Sequence, residues 1–533
     1  MSHTTDYVIA IDLGSSGPKV SLVSDQGQPV ASTTRRIATI NTPDGGGEQD
    51  PNDWWRSVRD CVRELVASAG VPRERIVAIS CATQWSVTVP VDRSGRHLMN
   101  AIHWSDSRGA PYSKQITDGW IKVAGYGLTR MLRWVKITGG VPAHSGADAL
   151  SHMLYIKHAR PDIYRETAAL LEPMDYINLR LTGRTAATYA TVFPYLLTDN
   201  RDSSRILYDD GLIRWAGLDR AKLPDLVPQG TILGTILPEM AAEWDLSPAT
   251  QVIAGTPDSQ AAALGSGAVR DYEGHICLGT TAWLSCHVPF KRTNILNYLA
   301  TMPSALLGRN MVMAEQGAAG KCLQTFVERW LCAQDELSDA GTPADVYDRI
   351  ERLVSRVPAG SGGLLFLPWL NGAGPPSGES EIRGGFLNQS LSTGRAEAAR
   401  AVMEGVAMNL AWLRGAVERF IRRPFDGLNF ICGGARSDTW SQIMADVVGC
   451  PIRRMAEPEM AISRGAAMVA WRALGRTSGD DLGQLARVER VFHPDPASAR
   501  VYQALFAEWL SSYKANRGMF RRLNRRQTAS SSQ

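Results

Sequence analysis

The chain has 533 residues, of which 44% are hydrophobic, 21% are charged and 8% are aromatic. This composition is typical of a globular protein and excludes a disordered or fibrous chain. Lysine and arginine number 57 against 53 aspartates and glutamates, which leaves a net charge of only +4. We therefore expect neither nucleic acid nor a membrane as a partner, because a strongly basic surface is what binds those polyanions.

The chain carries no recognisable targeting segment. Residues 1–6 are polar and lead straight into a strand, and no uninterrupted apolar run reaches the roughly 18 residues that a membrane-spanning helix needs. The eight cysteines lie far apart and form no Cys-x-x-Cys pair. That spacing favours buried, reduced thiols over a disulfide or zinc framework, and we expect a cytoplasmic protein.

The first half of the chain predicts strands that alternate with helices. Strands and helices in alternation are typical of an α/β fold. Short apolar runs predict strands at residues 7–11, 20–23, 76–80 and 87–91. Helical spacing predicts helices after residues 50–52, at 154–159 and at 163–171.

Near the middle of the chain the opening pattern recurs. Residues 11–16 read Ile-Asp-Leu-Gly-Ser-Ser, and residues 276–281 read Ile-Cys-Leu-Gly-Thr-Thr. In each segment a strand runs into a glycine that is followed by two hydroxyl residues. The recurrence predicts two lobes of one design. We place them at residues 6–268 and 269–480, followed by a C-terminal helix and a basic polar tail at residues 481–533.

The two glycine-hydroxyl turns are candidate phosphate-binding loops. Glycine lets the backbone approach an anion closely, and serine and threonine donate hydrogen bonds to it. Either turn alone could merely connect two strands, but a facing pair, one per lobe, would hold a polyphosphate from both sides. The candidate residues are Gly14, Ser15, Ser16, Gly279, Thr280 and Thr281.

Two charged residues beside the first turn extend this hypothesis. Asp12 ends the first strand and could hold Mg²⁺ through water, since Mg²⁺ prefers oxygen ligands and keeps several waters. Lys19, on the second strand, either points back at a phosphate or is an exposed strand lysine. No GxGxxG, HExxH or GxSxG motif is present, and residues 317–322 fail the Walker pattern. Dinucleotide-binding, zinc-protease and α/β-hydrolase functions are therefore disfavoured.

Asp258 is the candidate catalytic residue. It follows an apolar strand at residues 252–254 and precedes a helix of small residues. A carboxylate at a helix start often caps the helix. The functional alternative is a general base, which requires a fixed carboxylate within hydrogen-bond reach of a substrate hydroxyl.

Two short segments are candidates for substrate binding. Gln84 and Trp85 follow an otherwise apolar strand, where they either cap a sheet or line a cleft. Asp106 and Arg108 offer a carboxylate and a guanidinium beside Trp104, a set that suits a hydroxyl-rich ligand. The alternative for this second pair is a surface salt bridge.

Together these motifs resemble the FGGY carbohydrate kinases, and most of all their xylulokinase branch. The similarity extends from about residue 7 to about residue 474 and includes Trp104, Asp106 and Arg108 in the first lobe. This resemblance implies an α/β, two-lobed, duplicated actin-like (ribonuclease H-like) ATPase fold with an interlobe cleft. It also implies ATP and Mg²⁺ as cofactors, and it allows a homodimer.

The resemblance also assigns roles to individual residues. Asp258 stands in the motif that holds the family's catalytic aspartate, and Asp12 with Lys19 stands in its first phosphate motif. The segment after the strand at residues 428–431 is similar to the family's adenosine-binding turn. The residues of that turn are Gly433, Gly434, Ala435 and Ser437.

Departures from the family pattern bear on the substrate. Xylulokinases usually carry Met-His where this chain has Gln84 and Trp85, and often Gly-Glu-Arg near residues 371–374, which here read Asn-Gly-Ala-Gly. The expected function is transfer of the γ-phosphate of ATP to a hydroxyl of a ketopentose, such as xylulose, or of a related polyol. The alternatives are a kinase for a pentitol, tetritol or glycerol, an inactive sugar or nucleotide sensor, and an actin- or chaperone-like ATPase.

Overall fold

The N-terminal lobe is built on a six-stranded mixed sheet. The structure is a computed structural model in which residues 5–339 and 341–530 are described, with side chains described up to residue 524. The strand order is β5-β6-β4-β1-β2-β3. The strands are β1 (Tyr7–Gly14), β2 (Gly17–Ser24), β3 (Pro29–Thr34), β4 (Ile76–Thr83), β5 (Ile232–Thr235) and β6 (Gln251–Pro257).

The C-terminal lobe is built on an eight-stranded mixed sheet with the order β9-β10-β11-β8-β7-β12-β13-β14. These strands are β7 (Gly274–Leu278), β8 (Ala282–Val288), β9 (Thr293–Asn294), β10 (Leu299–Pro303), β11 (Asn310–Gln316), β12 (Leu428–Ile431), β13 (Ile452–Met455) and β14 (Val488–Phe492). The largest apolar core of this lobe packs between the sheet and a long central helix at Arg395–Ile421.

The inner strands of the two sheets follow one plan. Each lobe opens with an antiparallel hairpin, β1-β2 or β7-β8, whose turn contains glycine and two hydroxyl residues. The first strand of each hairpin pairs in parallel with β4 or β12, and these pair in parallel with β6 or β13. The second strand pairs antiparallel with β3 or β11. The predicted duplication is therefore present in the pairing of the strands.

Helices surround both sheets and begin where the sequence carries capping residues. Asp50 caps α1 by accepting the N–H of Asn52, and Pro51 occupies the first turn. The helices are α1 (Pro51–Ser68), α2 (Ala110–Ile116), α3 (Leu128–Ile137), α4 (Ala149–Ala159), α5 (Pro161–Glu166), α6 (Pro173–Thr182), α7 (Asp210–Ala216), α8 (Pro238–Trp244), α9 (Asp258–Gly265), α10 (Gly320–Phe326), α11 (Val346–Val354), α12 (Arg395–Ile421), α13 (Asp438–Val448), α14 (Ala461–Ala473) and α15 (Pro496–Ser530).

Helices α9 and α14 lie side by side between the two sheets and join the lobes. Gly265 and Gly465 make this close approach possible, because a Cβ atom at Gly265 would lie 1.7 Å from the carbonyl oxygen of Ala461, and one at Gly465 would lie 1.8 Å from that of Ala261. Trp471 of α14 is fully buried with the N-terminal sheet. The helix that starts with Asp258 is thus held rigidly at the lobe junction.

Two sequence-based expectations are wrong. Cys277 and Cys432 form a disulfide, because β7 and β12 are neighbouring parallel strands that bring together residues 155 positions apart. The other six cysteines are free. The helix expected at residues 163–171 ends at Glu166, and Ala169–Leu171 is a strand that pairs with Val89–Val91.

The C-terminal segment contributes more than a helix and a tail. Residues Val488–Phe492 form the edge strand β14, and helix α15 packs the fully buried Trp509 against the C-terminal lobe. Residues 531–533 of the predicted tail lie outside the described residues. Within the described ranges, no helix is both long and apolar enough to cross a membrane.

Short strands outside the two large sheets form further small sheets in both lobes. Three strands form one small sheet, Ile40–Asn41, Gly47–Gln49 and Ala101–Ile102. Further pairs are Lys122–Val123 with Tyr126–Gly127, Ala186–Thr188 with Asp225–Val227, Thr198–Asp199 with Leu207–Tyr208, and Leu365–Leu367 with Gly385–Leu387.

Candidate active site

Asp258 lies at the junction of the two lobes. It is the first residue of α9, and its Oδ1 accepts the N–H of Ser259 at 2.6 Å. The N-cap position is taken by Pro257, so Asp258 is not the helix cap. Burial raises its pKa to about 7, and the charges of Asp12 and Glu315 add to that rise. Because Asp12 belongs to β1 and Glu315 to β11, this carboxyl group faces one acid from each lobe.

The first turn is held mainly by its own lobe. Ser15 donates its hydroxyl hydrogen to Oε1 of Gln84 at 2.9 Å, and Nε1 of Trp104 donates to the same hydroxyl at 2.9 Å. Gln49 donates to the backbone oxygen of Ser15 at 2.8 Å. The next residue, Ser16, is exposed. The turn therefore presents Ser16 to the cleft and uses Ser15 to connect to the substrate loops.

Gln84 lies inside this network and not at its surface. Its side chain is 3% exposed, and its Nε2 donates to Oε1 of Gln49 at 2.7 Å. Trp85, the next residue, donates from Nε1 to the carbonyl oxygen of Thr191 and packs against Phe193, with ring centroids 5.7 Å apart. Both residues thus shape the cleft: Gln84 through Ser15, and Trp85 as an apolar wall.

Asp106 and Arg108 form a buried ion pair that supports a loop. Asp106 is fully buried and accepts the N–H of Gly47 at 3.0 Å and the guanidinium of Arg108 at 2.6 Å. Arg108 also binds Glu48 at 2.7 Å and stacks over Tyr155. The predicted contact of Asp106 and Arg108 with substrate stays a prediction. The pair joins the loop that carries Trp104 to residues 44–48.

Trp104 is the aromatic residue that this loop presents to solvent. Its side chain is 44% exposed and stacks against His103, with ring centroids 4.7 Å apart. Its hydrogen bond to Ser15 fixes the ring next to the first turn. An exposed ring held in this way offers an apolar face to the C–H groups of a sugar or polyol.

The second turn and the adenosine turn share one cavity of about 550 Å³. The carbonyl oxygens of Gly279 and Thr280 accept N–H groups at the start of α10, which fixes the turn while Thr280 stays exposed. Ser437 caps α13 by accepting the N–H of Trp440 at 2.8 Å. The cavity is lined by Leu278, Gly279, Thr280, Gly320, Leu323, Gln324, Ala344, Asp345, Tyr347, Asp348, Ile350, Glu351, Met403, Gly433, Gly434, Arg436, Ser437 and Trp440.

Three predicted cofactor residues occupy positions that differ from the simplest expectation. Ala435 is fully buried and packs in the core beneath the adenosine turn. Lys19 lies opposite Asp12 in the hairpin, and its Nζ donates to the carbonyl oxygen of Glu459 at 2.9 Å. Thr281 hydrogen-bonds to the side chain of Glu315. Lys19 therefore links the first turn to the segment before α14.

Oxygen ligands around Asp12 fit Mg²⁺. Burial raises the pKa of Asp12 to about 6, although the positive charge of Lys19 acts to lower it. The pKa of the neighbouring Asp258 is raised as well. Two such carboxyl groups would be stabilised by a divalent cation. Among the described residues no three His, Cys, Asp or Glu side chains form a metal cluster. This set matches Mg²⁺, which takes one or two carboxylates and completes its shell with water and phosphate.

Sequence reasoning missed two acids and undervalued one aromatic residue. Glu315 was not among the predicted site residues, although its place near the end of an apolar strand resembles that of Asp12. Glu351, on α11, accepts hydrogen bonds from Ser437 and Thr439, and no sequence motif marks it. Trp104 was noticed only as the companion of Asp106 and Arg108.

Two sheets of one plan, each with a glycine-hydroxyl turn, and a carboxyl group near an acid of each lobe indicate a two-lobed ATPase-type phosphotransferase. Comparison with known proteins narrows this class. Residues 7–265 match the N-terminal domain, and residues 277–474 the C-terminal domain, of the FGGY family of carbohydrate kinases. The chain belongs to this family, whose members are ATP-dependent kinases that phosphorylate an alcohol group.

Relatives of this chain include kinases with different acceptors. It is 28% identical to a xylulose kinase from Bacillus subtilis, over 95% of this chain and 96% of the relative. It is 26% identical to an autoinducer-2 kinase from Klebsiella pneumoniae, over 96% and 94% of the two chains. The structure of a xylulose kinase from Rhodospirillum rubrum superposes with a TM-score of 0.79 at 25% identity, over 96% and 99% of the chains. The actin-like fold expected from the sequence is confirmed.

Proposed function

We propose that this protein transfers the γ-phosphate of ATP to a hydroxyl group of a ketopentose such as xylulose, or of a related polyol. One observation carries the proposal: Asp258, the first residue of α9, is near an acid of each lobe. One is Asp12, which precedes the first turn, and the other is Glu315, which hydrogen-bonds to Thr281 of the second turn. Support for the substrate class comes from relatives named xylulose kinase, one of which is 28% identical to this chain. A relative named autoinducer-2 kinase has a similar identity of 26%.

In the proposed mechanism Asp258 accepts the proton of the attacking hydroxyl. Its pKa of about 7 lies close to neutral pH, where a substantial fraction of the carboxyl groups is ionised and each ionised group is a stronger base than an ordinary carboxylate. Because only the ionised carboxylate accepts a proton, we expect turnover to rise as the pH passes upward through about 7. The exposed ring of Trp104 orients the acceptor beside Ser15 and Ser16.

The nucleotide is held by the C-terminal lobe. Gly279, Thr280 and Thr281 surround its phosphates, and the turn with Gly433, Gly434 and Ser437 receives adenosine. When bound, Mg²⁺ supplies charge neutralisation at the phosphate oxygens, and Asp12 is the residue that would hold it. Phosphoryl transfer requires mainly alignment and charge stabilisation, so the residues that orient the two substrates contribute most of the rate.

The test is a coupled assay of ADP release with a panel of acceptors. Xylulose, other ketopentoses, pentitols, tetritols and glycerol are each supplied with ATP and Mg²⁺. We expect one class to raise ADP release far above the rate without acceptor. If every acceptor leaves that rate unchanged while ADP still binds, the chain is a nucleotide sensor or an acceptor-independent ATPase, and the proposal is wrong.

A kinase for a sugar alcohol is the second candidate. It is favoured by one observation: the Gln84 amide is buried, its oxygen accepts the hydroxyl of Ser15, and its nitrogen donates to Gln49. The amide that stands where xylulokinases carry Met-His therefore faces its own lobe, and this favours an acceptor without a ketone. A pentitol with a higher kcat/KM than any ketopentose in the same panel would establish this alternative.

A further inference from the structure

Helix α11 forms one wall of the nucleotide cavity. Its apolar residues Val346, Ile350 and Val354 are buried in the C-terminal lobe. The adjoining face carries Tyr347 and Glu351, which are four residues apart and therefore lie one above the other. Both side chains line the cavity of about 550 Å³.

Glu351 ties this helix to the adenosine turn. Its Oε2 accepts the hydroxyl of Ser437 at 2.5 Å, and its Oε1 accepts the backbone N–H of Thr439 at 2.8 Å and the hydroxyl of Thr439 at 2.6 Å. Hydrogen bonds to an ionised carboxylate are stronger than those between neutral groups. The position of α11 relative to the turn is therefore set by one side chain.

Tyr347 extends into the cavity one helical turn before Glu351. Its side chain is 53% exposed, and within the described part of the chain no other aromatic ring stacks on it. The remaining apolar walls are formed by Leu323, Met403 and Trp440. An exposed, unstacked aromatic face in the wall of a cavity is a surface that a flat heterocyclic base could cover.

We propose that Tyr347 is the stacking platform for the purine base of ATP, and that Glu351 is the positioning residue that holds Tyr347 over the turn at residues 433–437. This inference rests on the proposed function, because it takes the cavity to be the nucleotide site. The aromatic face makes the contact, and the tyrosine hydroxyl is not required.

Calorimetry with two ligands tests the stacking role. ADP carries the base, whereas inorganic tripolyphosphate presents phosphates without one. In Tyr347→Ala we expect ADP to bind roughly tenfold more weakly, as expected for loss of base stacking on an aromatic ring, with tripolyphosphate unaffected. Tyr347→Phe should bind ADP as the wild type does. The matched control is Arg352→Ala, an exposed position of α11 outside the cavity lining, which should change neither affinity.

Steady-state kinetics tests the positioning role. Glu351→Gln keeps the shape of the side chain but leaves one carbonyl oxygen to accept three donors. We expect its KM for ATP to rise about fivefold, with kcat and the KM for the acceptor within twofold of wild type. The double variant with Tyr347→Ala should lose less than the product of the single losses, because both residues act through one contact.

Several outcomes overturn the inference and are separable from failure of the proposed function. ADP affinity within twofold of wild type in Tyr347→Ala rules out stacking, as does an equal loss of tripolyphosphate binding. Multiplicative effects in the double variant rule out positioning through Tyr347. If the wild-type protein itself binds no ADP, it is the proposed function that fails.

Discussion

The two phosphate turns share a local design but have different neighbours. The N-terminal turn is enclosed by its own lobe, where the hydroxyl of Ser15 is bound by Gln84 and Trp104. The C-terminal turn opens onto a cavity, with Thr280 exposed and the adenosine turn on the far side. Under the proposed function, the N-terminal turn would serve the acceptor and the C-terminal turn the nucleotide.

This difference arises from the loops and not from the strands. The hairpins β1-β2 and β7-β8 have the same antiparallel pairing, and each leads to a parallel neighbour. Between β2 and β4 the N-terminal lobe supplies Gln49. Between β11 and β12 the C-terminal lobe supplies α11, with Glu351 against the adenosine turn. A shared scaffold thus carries two turns whose surroundings are formed by inserted segments.

Replacement of Asp258, the carboxyl residue at the lobe junction, should have the largest effect on turnover. In Asp258→Asn the amide cannot accept the proton of the acceptor hydroxyl, so we expect kcat to fall by about 10³-fold or more. ADP affinity should change by less than twofold in calorimetry. Asp210→Asn is the matched control, because Asp210 is likewise the first residue of a helix but is exposed. An Asp258→Asn variant within tenfold of wild type would exclude this residue as the base.

The junction itself can be broken at Gly465. In Gly465→Ala the new methyl group would lie 1.8 Å from the carbonyl oxygen of Ala261, so α9 and α14 must move apart. We expect a loss of about 3 kcal/mol or more in the free energy of unfolding by denaturant. In Gly415→Ala, within α12, the nearest atom is the flexible end of Arg419 at 3.4 Å, and stability should stay equal or rise. Equal stability of the two variants would contradict the close packing.

Substitution of Trp104 should affect acceptor binding without affecting ATP binding. Trp104→Ala should raise the KM for the acceptor about tenfold, because an aromatic face worth roughly 1–1.5 kcal/mol is lost, and should leave the KM for ATP unchanged. Trp120→Ala removes a fully exposed tryptophan and should change neither constant. A rise in the KM for ATP with an unchanged KM for the acceptor would contradict the assignment of Trp104 to acceptor binding.

The smallest effect concerns the stability of the ligand-free protein. Because the pKa of Asp258 is raised to about 7, the folded state binds a proton that the unfolded state has released above about pH 4. The contribution of this group to stability is therefore present below about pH 4 and is lost as the pH rises through about 7. Denaturant unfolding across this range should show the wild type losing stability relative to Asp258→Asn as the pH rises. Parallel pH curves for the two proteins would mean that Asp258 is not buried beside other acids.

Local features of the sequence were enough to predict the scaffold. The glycine-hydroxyl turns lie within a few residues of the strands that they join, and Asp258 directly follows its strand, so neighbouring residues determine both.

The parts that could not be predicted depend on residues distant in the chain. Cys277 and Cys432 are joined because β7 and β12 are neighbours, which no spacing rule reveals across 155 positions. Asp106 is fully buried because Gly47 and Glu48 pack onto its loop. Glu351 joins the lining of the candidate nucleotide cavity only when α11 docks beside Ser437. Short-range patterns therefore indicated candidate site residues, while the contacts that support those residues required the tertiary structure.

Phosphorus NMR of the complete reaction shows whether the protein transfers phosphate to an acceptor hydroxyl and whether this transfer requires Asp258. The protein is mixed with ATP, Mg²⁺ and the best acceptor of the panel, and the products are followed together. We expect a sugar-phosphate resonance that grows in step with ADP in the wild type and is absent in Asp258→Asn. Release of inorganic phosphate in place of a sugar phosphate, or equal product formation by both proteins, would contradict the proposed mechanism.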